Sequence, residues 1–329
     1  SLDLNADTLA GIRPEGARIS VAAGGPARIN IPGLLAALDR YPYGCTEQTT
    51  SRALPLLYLN ELALSAGLDT DAAVRERVQK AIARVLGNQD GSGAFGLWSA
   101  YGAGRDTWLD AYVTDFLSRA RDKGYDVPEL AYSQALEGLE NRVAYASDFS
   151  DGGTEIAYAL YVLARTGRAS LGDLRYYADV KLDDFGSPMA KAQIGAALAL
   201  YGETERAERA LKAAVTATGD LGGTDYRADF GTSLRDAAGV LAYVTEAGFG
   251  SRMGETMAER VARRQEEDAT YSTQEMAWLL MAGHELLQSA SEDSFTLDGR
   301  RVSTPLALDL AGDRIAAEDP LGPQPTLWR

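Results

Sequence analysis

Cysteine occurs once in these 329 residues, histidine once and lysine five times. The single cysteine, Cys45, permits no internal disulfide, and together with the single histidine, His284, it is too little to fill a zinc shell. No metal or other cofactor is therefore expected. Long apolar runs are also missing: no stretch approaches the roughly 18 residues of a membrane span. The N-terminal SLDLNADT has neither the basic start nor the apolar core of a signal peptide. Starting at Ser1 and stopping at PTLWR, the chain reads as a piece of a longer protein. Positive charge is in deficit, with 32 Lys and Arg against 47 Asp and Glu for a net charge of -15. That balance argues against nucleic acid as a partner, because phosphate backbones are gripped by clustered cations. Hydrophobic residues make up 46% of the chain, enough for one large globular core or two ordinary ones.

The one cysteine lies in YPYGCTEQ, residues 41 to 48, three positions before Gln48. If the Cys45 thiolate attacks the Gln48 side-chain amide and ammonia leaves, the two side chains close a thioester ring over Thr46 and Glu47. Such a bond is an activated acyl group, and a nucleophile that reaches it is acylated permanently. TEQTTSRAL reads as the opening of a helix, with Pro55 near its start or kinking it. Cys45 would then face unpaired N–H groups and the positive end of the helix dipole, both of which favour thiolate. Gly44 is expected to permit the backbone conformation that brings Cys45 and Gln48 together. Tyr41, Tyr43 and the apolar ALPLLYL are expected to wall the bond against water. Glu47 reads as a first-turn acid favoured by the dipole, with no chemical part. The plain alternatives are an idle buried thiol and core-packing tyrosines.

GCTEQ, with Tyr41, Pro42 and Tyr43 ahead of it, resembles the thioester motif of the α2-macroglobulin and complement superfamily, and YPYG with the non-glycine Thr46 looks most like its bacterial branch. DTWLDAYV at 106 to 113 resembles the start of a later helix of the same family's thioester domain, and Pro55 falls where the family keeps a proline. The resemblance implies an α/α toroid bracketed by a CUB-type β-sandwich, with other domains of a full-length parent covering the thioester. It implies an endopeptidase inhibitor rather than an enzyme: cleavage of a bait segment swings the cover away, and the bond captures the protease covalently through a lysine amine. A periplasmic location, with the parent anchored to the inner membrane, is implied as well. Complement proteins that prefer hydroxyl targets carry a histidine a little over a hundred residues past the cysteine. The corresponding NRVAYASDFSDGGTE has none, which points to amine targets. His284, 239 residues beyond Cys45 and beside Glu285, is expected to be a structural histidine rather than a thiol-protease partner.

Only Lys80, Lys123, Lys181, Lys191 and Lys212 are lysines, leaving 27 arginines. Codon usage in a GC-rich genome, consistent with heavy Ala and Gly content, is the favoured explanation. Avoidance of self-labelling is the functional one, since an amine attacks a thioester and a guanidinium does not.

Along the chain, ARISV and ARINI read as strands within residues 1–30, and FTLDGRRV and PLALDL, with a turn at Asp298 and Gly299, read as returning strands within 291–329. Residues 31–290 are helical in pattern. Ala-rich amphipathic segments open at Thr107, Thr154, Ser187, Thr232 and Ser272, at intervals of 47, 33, 45 and 40 residues, about a helix, a turn and a returning helix. The polar openers are natural N-caps. The expected fold is all-α, an α/α toroid of helical hairpins flanked by short β segments of an incomplete sandwich. Ala and Gly in AQIGAALALYG suit a crowded inner ring. Two other functions fit a helical toroid: a cyclase- or lyase-type enzyme, for which Asp183 and Asp184 lack the rest of a prenyl diphosphate motif, and a helical-repeat interaction module.

Overall fold

The computed structural model describes residues 18–23, 29–41, 44–58, 71–103, 106–149, 152–219, 227–267, 270–289, 294–297, 300–303, 306–311 and 327–328. Pro42, Tyr43 and the turn at Asp298 and Gly299 lie outside the described residues.

The helices in chain order are α1 (Ile31–Asp39), α2 (Thr46–Ala53), α3 (Asp71–Leu86), α4 (Thr107–Asp122), α5 (Glu129–Ala144) and α6 (Thr154–Arg165). They continue as α7 (Leu171–Asp179), α8 (Pro188–Leu200), α9 (Thr204–Ala217), α10 (Ser233–Glu246), α11 (Glu255–Glu267) and α12 (Thr273–Ser289). The even-numbered helices form a closed ring: α2 packs on α4, α4 on α6, α6 on α8, α8 on α10, α10 on α12, and α12 returns to α2. The odd-numbered helices pack around them from outside, α5 against α4 and α6, α9 against α8, α11 against α10, and α1 against α12. This is the expected α/α toroid.

Burial follows from the two layers. Every residue of α4 from Trp108 to Ala120 is buried, as is every residue of α6 from Ile156 to Ala164 and of α10 from Leu234 to Val244. The outer α5 and α9 bury one stripe each, Ala135, Leu136 and Leu139 in the first and Ala207, Ala210, Leu211 and Ala214 in the second, as an amphipathic helix on a core should. Crowding explains the small residues. A Cβ on Gly195 of α8 would lie 2.7 Å from Leu211 Cγ of α9, and one on Gly283 of α12 would lie 2.8 Å from Ile31 Cδ1 of α1.

The inner helices run parallel, so their N-termini gather at one end of the ring. The repeat openers lie there, with shifts of one residue. Ser187 and Thr232 are N-caps as expected, accepting from Ala190 N–H and Arg235 N–H. At α4 the cap is Asp106 rather than Thr107, because its carboxylate accepts from Leu109 N–H at 3.0 Å. At α6 it is Gly153, whose φ of 61° supplies the turn with no side-chain cap. Pro55 neither opens nor kinks α2. That helix ends at Ala53 with Leu54 as its C-cap, and Pro55 stands in the turn that follows.

Outside the ring, β1 (Arg18–Ala23) pairs antiparallel with β4 (Leu306–Ala311), and β4 pairs with β5 (Leu327–Trp328). β2 (Ser294–Leu297) pairs with β3 (Arg300–Ser303). Strands near the two chain ends thus share one sheet. ARINI is a correction: Asn30 is the N-cap of α1, its side chain accepting from Gly33 N–H, and Ile31 is helical.

Candidate functional site

Cys45 is the N-cap of α2, and Gln48 is the third residue of that helix. The Gln48 N–H donates to Cys45 Sγ at 3.5 Å, while the Cys45 N–H donates to Gln48 Oε1 at 3.2 Å. This is a capping box, in which two side chains satisfy the N–H groups that the first helical turn leaves unpaired. The start of α12 repeats it with ordinary residues: the Glu275 N–H donates to Ser272 Oγ at 3.2 Å, and the Ser272 N–H donates to Glu275 Oε2 at 2.7 Å. The ring therefore contains one Ser-x-x-Glu box and one Cys-x-x-Gln box. Only the second pairs a nucleophile with an amide that can lose ammonia.

Two neighbours anchor this turn. Thr46 is fully buried; its N–H donates to the Leu97 carbonyl at 2.8 Å, its hydroxyl donates to the Gly96 carbonyl at 2.6 Å, and the Asn88 side-chain amide donates back to that hydroxyl at 2.8 Å. The strap 88–97 is held in turn from α4, since the Phe95 N–H donates to Asp110 Oδ1 at 2.7 Å. Glu47, 3% exposed, reaches across to α12 and accepts from Thr273 and Gln274. Asn88, Gly96, Thr273 and Gln274 escaped sequence reading because each lies at least 40 residues from the motif. The only local signal was the polar start of the last repeat.

Cys45 is 5% exposed, and burial pushes its thiol up. The Gln48 N–H works in the opposite direction, and the Glu47 charge adds to the rise. Burial outweighs the helix end here, so the expectation of a favoured thiolate is reversed. Gly44 is a second correction. It does not adopt positive φ, and a Cβ there would meet nothing within 4 Å. A third concerns ALPLLYL: Leu54, Leu56 and Leu57 are buried in the core at the far end of α2 and do not wall Cys45. Tyr41 is half-buried against the core. The open side carries other aromatics, with Trp98 62% and Tyr101 93% exposed just past the Gly96 and Leu97 carbonyls that hold Thr46.

His284 lies eleven residues into α12 from Thr273, about 16 Å along the helix from the end that meets Glu47. Its ring packs on Tyr58 at 4.7 Å, and burial lowers its pKa to about 4, with Lys123 and Arg119 adding to the effect. It belongs to the opposite end of the ring. Asp184 is paired with Lys181 at 2.9 Å, and Lys191 Nζ donates to the carbonyls of Leu182 and Asp183, so the acidic pair sits in a turn held by cations.

A family model described as the A-macroglobulin TED domain matches residues 20–145, the stretch that holds the Cys45 box, the strap and α4. The α2-macroglobulin of Escherichia coli strain K12 is 34% identical over 253 residues, which is 73% of this chain and 15% of that protein. The chain belongs to the α2-macroglobulin family. Its fold agrees with solved members. The crystal structure of Salmonella α2-macroglobulin reacted with methylamine superposes with a TM-score of 0.81 at 31% identity, over 96% of this chain and 21% of that one. The native E. coli α2-macroglobulin fragment from domain MG7 to the C-terminus gives a TM-score of 0.78 at 29% identity, over 95% of this chain and 51% of that one. The chain is thus the family's thioester domain, spanning 15% of the length of that E. coli relative.

Proposed function

We propose that Cys45 and Gln48 form an internal thioester in the parent protein, and that this domain captures attacking proteases through their lysine amines. The observation that carries the reading is the reciprocal box, in which Cys45 Sγ accepts from the Gln48 N–H and Gln48 Oε1 accepts from the Cys45 N–H, so that both side chains fold over the same helical turn. In formation, the Cys45 thiol gives up its proton and adds to Gln48 Cδ, the C–N bond breaks, and the amide nitrogen leaves with that proton as ammonia. The Cys45 N–H, already on Oε1, is placed to stabilise the oxyanion that develops there. In capture, a lysine amine adds to Cδ, the C–S bond breaks, and the Cys45 thiolate leaves and takes up a proton. The product is an amide between the target and residue 48. The domain is consumed once, which makes it a covalent trap and not a catalyst.

Burial gives the bond its latency. A thiolate is a poor leaving group while its surroundings are dry, and opening the site to water relieves that penalty. Trp98, Tyr101 and the open space at Gly44 suit a surface covered by another domain of the parent until activation. The pairing of β1 with β4 supports reading residues 1–30 and 291–329 as parts of one CUB-like domain, with the thioester toroid between them at 31–290. A periplasmic parent anchored to the inner membrane suits a trap for incoming proteases. Among the described residues, no helix is long and apolar enough to cross a membrane.

Intact mass of the full-length parent tests this. The thioester form should be lighter than the encoded chain by one ammonia and should gain one methylamine on treatment, with one thiol appearing. A parent that keeps its encoded mass and ignores methylamine would sink the reading.

A further inference from the structure

Between Cys45 and Gln48 stands Glu47, whose carboxylate is almost completely buried and whose partners are neutral donors. Ser51 Oγ donates to Oε1 at 2.6 Å, Gln274 Nε2 donates to Oε1 at 2.8 Å, and Thr273 Oγ1 lies 3.1 and 3.2 Å from the two carboxylate oxygens. Ser51 also meets the Tyr112 hydroxyl at 2.9 Å, and Gln274 Nε2 donates to Ser51 Oγ at 3.0 Å, which draws α4 into the same cluster. A buried carboxylate is costly unless its lone pairs are filled, so this cluster is maintained only while the contributing helices hold their places. A first-turn acid serving the helix dipole alone would point to water. Glu47 points the other way, into the seam of the ring.

We propose that Glu47 is a positioning residue that clasps the first turn of α2 to the first turn of α12, so that closure of the ring and alignment of Cys45 with Gln48 are one event. The partners are 226 and 227 residues away in sequence and are the first two residues of the last inner helix. Until that helix docks, Glu47 has only Ser51, on its own helix. Gln48 follows Glu47 directly and Cys45 caps the same turn two residues before it, so a shift of Glu47 moves both. The inference rests on the thioester reading for its chemistry, whereas the clasp itself is a matter of geometry. Misplacing reacting atoms by about 1 Å costs roughly a hundred-fold in rate, which makes thioester formation a sensitive gauge of the seam.

The test uses the full-length parent with Glu47→Gln, Gln274→Glu and the double exchange, which restores a Gln–Glu hydrogen bond with donor and acceptor swapped. Among folded molecules with cooperative melting, Glu47→Gln should lower the fraction carrying the ammonia-loss mass by about ten-fold or more, and the double exchange should recover most of it. A second readout does not need the bond: Cys45 alkylation by iodoacetamide after methylamine treatment, or in a chain that never formed the thioester. Rates are compared at the high-pH plateau, where the thiol is fully ionised in every variant and the Glu47 charge no longer sets the thiolate fraction. Alkylation there should quicken about ten-fold in Glu47→Gln and slow again in the double exchange. If wild type shows no ammonia loss, the thioester reading fails and the alkylation rates still decide the clasp. Wild-type bond yield and alkylation rate in folded Glu47→Gln, or an exchange that restores neither, would overturn the proposal.

Discussion

At the scale of single residues, the chemistry rests on a helix cap. Substituting Ala for an N-cap acceptor costs about 1 kcal/mol, and a thiol fills the position less well than a hydroxyl. Cys45→Ser should therefore leave the fold as stable as the unbonded wild type or more so, and Cys45→Ala should lower stability by about 1 kcal/mol. Both should abolish methylamine incorporation. Thermal melts alongside mass spectrometry separate the two effects, and incorporation in either variant would contradict the assignment. His284→Ala should leave the preference for methylamine over glycerol unchanged, since the ring is neutral near pH 7 and sits at the far end of α12. Glycerol coupling that depends on His284 would place the histidine at the site after all. Cys-x-x-Gln was legible because its spacing matches one helical turn. Glu47 was not, because a first-turn acid facing solvent and one facing a seam look alike until the partner helix is located.

At the scale of elements, the strap 88–97 and the starts of α2 and α4 act together. Burial lifts the Asp110 carboxyl to about 7 even though the Phe95 N–H and Arg142 favour its charged form. The folded state then keeps this proton to about pH 7, while the unfolded chain releases it near the ordinary carboxylate value. Between those limits the native state binds more protons, so this group's contribution to stability falls as pH rises. Asp110→Asn keeps an acceptor for Phe95 and removes the titration. The melting temperature of the variant relative to wild type should rise between about pH 5 and about pH 8; a constant difference would refute the assignment. Glu285, pushed up to about 7, and His284 are present in both proteins and cancel in the comparison. Thr46→Val should cost about 1–3 kcal/mol, because the buried Asn88 amide and the Gly96 carbonyl each lose a partner. Hydrogen exchange at Phe95 and Thr46 should quicken with it. The element plan was legible from the spacing of the polar openers. The strap's hold on Thr46 was not, because backbone carbonyls carry no signature in sequence.

At the scale of the whole molecule, Trp98 and Tyr101 are exposed, and on the proposed function they mark the face that a covering domain would occupy. In the parent, tryptophan quenching by acrylamide should increase on protease activation, and Trp98→Phe should reduce that increase, since Trp98 is exposed whereas Trp108 and Trp278 are buried within the toroid. Quenching that is insensitive to activation would mean that this face stays open throughout. Ring closure itself could be expected from Ala and Gly density, and Gly195 and Gly283 bear that out through the contacts a Cβ would make. The two capping boxes in one ring have a further consequence. Ser272 with Glu275 and Cys45 with Gln48 occupy equivalent places at the starts of two inner helices, and on the proposed function one is inert while the other is armed. Two substitutions, Cys45→Ser and Gln48→Glu, would turn the armed box into the inert one without disturbing the scaffold. A change at Cys45 alone would thus disarm such a domain, whereas rearming the inert box would take both codons, and the toroid would be kept in either case.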